Sequence, residues 1–160
     1  MINRTKTVDV IIQSHSSEYI KPIAALMTVL ESIYRNNFVK IAEKNCIYYE
    51  ETYLPFKNLA QNVFAKFMSS KEIVGHTFSL FDKITSNTSF SLKPNNTNRL
   101  FIGCFILANN YYKKEIKLEN VLNLNNEELK LLEKQTYELL GEDIYIEKKL
   151  IDEYIQFLYQ

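Results

Sequence analysis

The sequence predicts an all-α domain, packed around one buried central helix, on three observations. Only three Gly and three Pro occur in 160 residues, so few positions interrupt a helix. Phe56, Leu59, Ala60, Val63, Phe64, Phe67 and Met68 recur at i, i+3, i+4 and i+7, the period of a helix with one apolar face. Leu100 to Ala108 is apolar on every side of a helix drawn through it, as in a helix buried among its neighbours. That run is too short to cross a bilayer, which takes ~20 such residues. Its far end changes to Asn109, Asn110, Tyr111, Tyr112, Lys113 and Lys114, and is expected to reach the surface.

Taken in order, residues 1–16 read as irregular, with Val8, Val10, Ile11 and Ile12 as a short docked segment. A helix is expected from Ser17, with Ile20, Ile23, Ala24, Met27, Leu30 and Ile33 at helical spacing and Pro22 tolerated in its first turn. It frays at Asn36-Asn37. Residues 38–54 read as a connection with one helical turn, and long connections in compact domains are often functional. The Phe56 helix stops at Ser69-Ser70. Ser69 with Glu72 matches a capping box that opens the next helix at once. That helix carries Ile73, Val74, Thr77, Phe78, Phe81 and Ile84.

Residues 85–98 have loop chemistry, except Phe90 and Leu92, which are expected to tuck onto the core. The central helix follows from Arg99. Residues 113–124 suggest a short helix resting on Ile116, Val121 and Leu122. Asn125 with Glu128 opens the next helix, whose apolar face reads Leu129, Leu132, Thr136, Leu139 and Leu140, and Gly141 stops it. A last helix, about 147–159, shows Leu150, Ile151, Tyr154, Ile155 and Leu158.

Length fits one domain, which buries about two thirds of the surface its unfolded chain exposes. Lys and Arg number 19, as do Asp and Glu, and no long basic run exists. A nucleic-acid or anionic-membrane surface is therefore not expected. Cys46 and Cys104 share no spacing motif and read as reduced thiols of an intracellular protein. The first residues lack the apolar core of a signal peptide. The two Asn-X-Ser/Thr sequons read as Asn-rich loop.

Catalytic chemistry is sparse. Three Gly leave no phosphate loop, and His15 and His76 are the only histidines. No His or Cys cluster has the spacing of a metal site, so no metal or cofactor is expected. His76 reads as a packing residue beside an apolar stripe. Glu50-Glu51 and Glu127-Glu128 read as solvated or first-turn carboxylates. Tyr48, Tyr49 and Tyr53 read as packing aromatics, with a binding surface or phosphoacceptor sites as the alternatives.

The order of these helices resembles a cyclin box from Phe56 to Tyr159, most closely the PHO-type (P-type) cyclins. SSKEIVGHTFSLFDKI is similar to the family's second box helix, whose Leu-Asp-Arg-like motif reads Phe81-Asp82-Lys83 here. TNRLFIGCFILANNYY is similar to the central box helix, with a His-Arg-Leu-like opening at Asn98-Arg99-Leu100. NNEELKLLEKQTYELL matches the helix with a Leu-Glu pair, here Leu132-Glu133. IYIEKKLIDEYIQFL is similar to the segment after the box. The resemblance covers about two thirds of the chain, implying an N-terminal extension over 1–54 with one packed helix, then a single box plus a following helix over 55–160.

The resemblance implies a non-catalytic regulatory subunit of a cyclin-dependent Ser/Thr protein kinase, in the cytoplasm or nucleus, needing no cofactor or small-molecule ligand. The family grips its kinase with a Lys near the end of the central helix and a Glu on a later helix. The Glu falls on Glu133 and the Lys on Asn110, so one charge-assisted contact of ~1.5–3 kcal/mol is lost or replaced. Lys113 and Lys114, one turn on, are the candidate substitutes. The resemblance therefore nominates Asn110, Lys113, Lys114 and Glu133 as kinase contacts, and Asp82 and Arg99 as structural residues of the box. Two other readings stay open: a cyclin-fold scaffold or transcription-factor-like module without a kinase, and an enzyme or unrelated bundle.

Overall fold

The computed structural model describes residues 17–37, 54–87, 90, 94–118 and 124–160. The readings made for the first sixteen residues, for Tyr48, Tyr49, Tyr53 and Cys46, and for Leu92, Val121 and Leu122 lie outside the described residues. Every regular element among those described is helical. A 3-10 turn over Ser17–Tyr19 leads into α1 (Ile20–Asn37), then α2 (Leu54–Lys66), α3 (Lys71–Thr85), α4 (Pro94–Tyr111), α5 (Asn126–Leu139) and α6 (Lys148–Leu158).

Helix α4 is the buried helix expected from its apolar run. Every residue from Leu100 to Asn109 is buried, and α4 packs on α2, α3 and α5. Helix α3 shares that position, since it packs on both α4 and α6 and is buried without a break from Ile73 to Phe81. The amphipathic reading of α3 fell short because its small polar residues bond within the helix. Thr77 Oγ1 donates to the Ile73 carbonyl at 2.7 Å and Ser79 Oγ to the Gly75 carbonyl at 2.8 Å, so both hydroxyls are buried without an unpaired donor. Helix α1 lies on α2 and α6, and Tyr19 pins its start by donating to the Ser69 carbonyl at 2.8 Å.

Phenylalanines from three helices meet at the centre. Phe64 of α2 is edge-on to Phe78, Phe101 and Phe105 at centroid distances of 5.7, 5.4 and 5.6 Å, the arrangement that aligns positive ring edges with negative faces. Helices α4 and α5 cross closely at Gly103. A Cβ placed there would lie 2.0 Å from Thr136 Oγ1, so only glycine admits this approach.

Three helices end in the same way. The Ser69 N–H reaches the Phe64 carbonyl while that of Met68 reaches Ala65. Lys114 and Lys113 repeat this pattern on Asn109 and Asn110, as do Glu142 and Gly141 on Tyr137 and Glu138. These are Schellman closures, which need a left-handed residue. Gly141 supplies it as expected, at φ +67°, but Met68 and Lys113 take φ +45° and +56° with a Cβ present.

Local readings are corrected at four places. The cap of α3 is Ser70, whose Oγ accepts from the Ile73 N–H at 3.2 Å, because Ser69 is consumed in the closure of α2. Helix α4 opens at Pro94 rather than Arg99, since proline is pre-organised for a first helical position. No helix covers residues 114–118; the left-handed Lys113 turns the chain away, and Ile116 packs against the core as expected, beside the buried Leu118 and Leu124. Leu139 is 47% exposed, and the buried side of α5 is Leu129, Thr136 and the cap Leu140. The capping box at Asn125 and Glu128 forms in both directions.

Candidate functional site

The end of α4 carries most of the nominated residues. Asn109, expected at the surface, is fully buried: its Nδ2 donates to the Phe105 carbonyl at 2.8 Å, and its Oδ1 has no hydrogen-bond partner among the described residues. Asn110, the next residue, faces outward. Its Nδ2 donates to Glu133 Oε1 of α5 at 2.6 Å, so two nominated residues 23 positions apart in sequence meet on one face. Tyr137 stands one turn beyond Glu133 on α5 and is exposed.

Lys114 is placed differently from the expectation of a replacement cation. Its Nζ donates to the Phe67 carbonyl at 2.6 Å, bridging the ends of α2 and α4. A cation at a helix C-terminus meets carbonyls without helical partners, so this contact is favourable. Lys113 is exposed, at the strained left-handed position. Met68, a second of the three left-handed residues that carry a Cβ, sits next to Phe67 in that same junction and is exposed, while the third, Glu142, follows Gly141 after α5. Left-handed positions held by residues with a Cβ cost roughly 1–2 kcal/mol each, and such strain gathers at functional sites.

An aromatic cluster borders the face. The Tyr111 ring lies 5.0 Å from that of Tyr112 and 6.5 Å from that of Tyr145, and all three are exposed. Beneath them is His76, fully buried on α3, 4.5 Å from Tyr111 between ring centroids. Its Nε2 lies 2.7 Å from the Ile144 carbonyl, which can only accept, so Nε2 carries the proton. Its Nδ1 is then an acceptor, 3.4 Å from the Tyr112 hydroxyl. Burial holds the imidazole below its usual pKa, with the Ile144 bond opposing this in part. Histidine here is a neutral strut joining α3, the end of α4 and the turn before α6.

The two residues nominated as structural stand apart from this face. Asp82, in the last turn of α3, accepts from the Tyr154 hydroxyl of α6 and, at 3.3 Å, from Ser86. Burial first, and Asp82 second, push the Tyr154 hydroxyl upward, so it stays a donor. Arg99 is exposed and lines a cavity of about 230 Å³ between α4 and α5; it is not buried as a structural cation would be. Sequence reasoning missed Tyr154 as the partner of Asp82, and no local pattern links them across 72 positions.

Among the described residues no group of three or more His, Cys, Asp or Glu is placed to hold a metal ion, and no helix is long and apolar enough to cross a membrane. The α4 face presents a carboxylate, a neutral amide, a lysine and exposed tyrosines, and of these tyrosine is the type enriched at interfaces. No protein-family model matches the chain, and neither a curated protein nor a solved structure matches it.

Proposed function

We propose that this chain is a non-catalytic regulatory subunit of cyclin type, which binds and activates a cyclin-dependent protein kinase through the end of α4 and the adjoining face of α5. The observation that carries the reading is the 2.6 Å contact between Asn110 and Glu133. It joins the two positions that the cyclin resemblance nominates independently from separate motifs. The packing of α2, α3 and α5 around the buried α4 supports the same reading.

The mechanism is population shift. A subunit that binds the active kinase arrangement better than the inactive one draws the equilibrium toward it, holding the kinase's mobile helix inward so that its Lys–Glu pair forms. Moving a kinase from one part in a hundred active to ninety-nine parts takes about 5.5 kcal/mol of differential affinity. One ion pair does not supply that, so the exposed tyrosines and Met68 are the apolar centre of this interface, with Glu133 and Lys113 at its rim.

The test is a calorimetric titration with a cyclin-dependent kinase that co-purifies from native extract. Glu133→Lys should weaken binding at least tenfold, about 1.4 kcal/mol, because it presents the wrong charge to the partner. Its fold should survive, since the Asn110 contact it loses is a surface one. Asn110→Lys should bind as well or better, because a cation beside Glu133 restores the family's pair. If Glu133→Lys binds like the wild type, this face is not the kinase surface and the scaffold reading takes precedence.

A further inference from the structure

A second site lies toward the C-terminal end of α3, where Asp82 is roughly 9 Å from His76 along the helix axis at 1.5 Å per residue. Here Asp82, Phe78 and Phe81 of α3 meet Tyr154 and Phe157 of α6, with Leu26 of α1 behind them, around a cavity of about 210 Å³. Asp82 is the polar feature of this wall. Hydroxyls of Tyr154 and Ser86 donate to its two oxygens, and no cation pairs with it among the described residues. It also stands in the last turn of a 15-residue helix, where the partial charge is negative and a carboxylate is disfavoured. The exposed Lys83 already supplies a cation to that turn, so it is the carboxylate that favours a positive charge inside the pocket, and the aromatic walls give that charge ring faces to lie against.

The surface leading to the cavity is built from α6. Ile151 and Leu158 turn inward. Leu150, Tyr154 and Phe157 recur at i, i+4 and i+7 on another side, and Leu150 and Phe157 remain 42% and 51% exposed. This is the spacing with which one helix lies along another. Glu153, three residues from Leu150, is exposed beside the stripe.

We propose that this pocket receives a lysine side chain presented by an amphipathic polypeptide partner, whose apolar residues lie along Leu150 and Phe157. An ammonium suits it better than a guanidinium. The hydroxyls of Tyr154 and Ser86 each take an acceptor site on one of the two Asp82 oxygens, which crowds a planar bidentate fork, and an ammonium is compact. The methylene stem of lysine would cover the phenylalanine rings while its charge reaches the carboxylate. The apolar stripe makes the occupant a polypeptide rather than a free amine. The proposal does not depend on the kinase reading, because none of its residues belongs to the α4 face.

The test is an NMR titration of the isotope-labelled full chain with a synthetic amphipathic Leu/Lys helical peptide, the same peptide with Lys replaced by Gln, and n-butylammonium alone. The Lys peptide is expected to shift resonances of Leu150, Tyr154, Phe157 and Asp82, and to bind at least tenfold more tightly than the Gln peptide. Asp82→Asn should weaken it at least tenfold, while Glu127→Gln, an exposed carboxylate on α5, should not. Phe157→Ala removes a half-exposed ring, keeps the fold, and should weaken binding severalfold, which decides the matter should Asp82→Asn not fold. Equal binding of the Lys and Gln peptides, wild-type binding by Phe157→Ala, or shifts elsewhere on the chain would overturn the proposal. Butylammonium matching the affinity of the peptide would overturn the polypeptide occupant.

Discussion

Gly103→Ala is expected to destabilise the protein, although Gly to Ala inside a helix ordinarily stabilises it by up to ~1 kcal/mol. The reversal comes from the crossing of α4 and α5. The new methyl would lie 2.0 Å from Thr136 Oγ1, 2.9 Å from its Cβ and 3.1 Å from its Cγ2. Rotating Thr136 relieves the first contact but breaks the 2.8 Å bond from its hydroxyl to the Leu132 carbonyl. It leaves the second contact untouched, because Cβ is fixed to the α5 backbone. The helices must therefore separate, and overpacking of this kind costs ~1–3 kcal/mol. Stranding the buried hydroxyl adds ~1–3 kcal/mol if Thr136 turns instead. After the propensity gain of up to ~1 kcal/mol, a net loss of up to ~2 kcal/mol is expected if the helices separate, and more if Thr136 turns. For a domain of this size each kcal/mol lowers Tm by ~2–4 °C. Urea titrations followed by far-UV circular dichroism, on Gly103→Ala, Thr136→Ala and the double variant, measure it. The double variant should recover part of the loss, giving a coupling of at least ~0.5 kcal/mol. An unchanged or higher midpoint for Gly103→Ala, or strictly additive effects, would refute the close crossing.

Three further outcomes are expected. Lys113→Gly should raise stability by about 1 kcal/mol at most, since it removes a Cβ from a left-handed residue, and should weaken kinase binding in the same protein; a lower urea midpoint would show that Lys113 is not strained. Burial lowers the folded pKa of His76, so the folded chain binds fewer protons than the unfolded one between that value and the usual ~6.5. Stability should be fully present above about pH 6.5 and fall as acid carries the protein through the lower, folded value; equal pH slopes for wild type and His76→Gln would contradict this. Cys104 is fully buried and its thiol is pushed upward by that burial, so in a Cys46→Ser background iodoacetamide should label it only once urea unfolds the chain; prompt labelling of the native protein would count against the placement of α4.

Sequence alone determined whatever a few neighbouring residues decide. The apolar stripe of α2 up to Phe67, the all-round apolar run of α4, the Asn125 box and the Gly141 stop are each complete within one helix or its cap, and each appears in the fold, whereas Met68, read as the end of that stripe, lies exposed past the helix end. Which residues close together at the candidate site was legible only through the cyclin resemblance, which nominated Asn110 and Glu133 without any local link between them. Tertiary structure decided the rest. It moved the cap of α3 from Ser69 to Ser70 because the closure of α2 and the Tyr19 hydroxyl claim Ser69. It took Lys114 out of the candidate interface by handing it the Phe67 carbonyl of another helix. It gave Asp82 a hydroxyl partner on α6 and left Leu139 in solvent. Hydrogen-bond partners and burial across an element boundary depend on where a second helix lies, and a periodicity read along one helix holds no information about the direction from which its neighbour approaches.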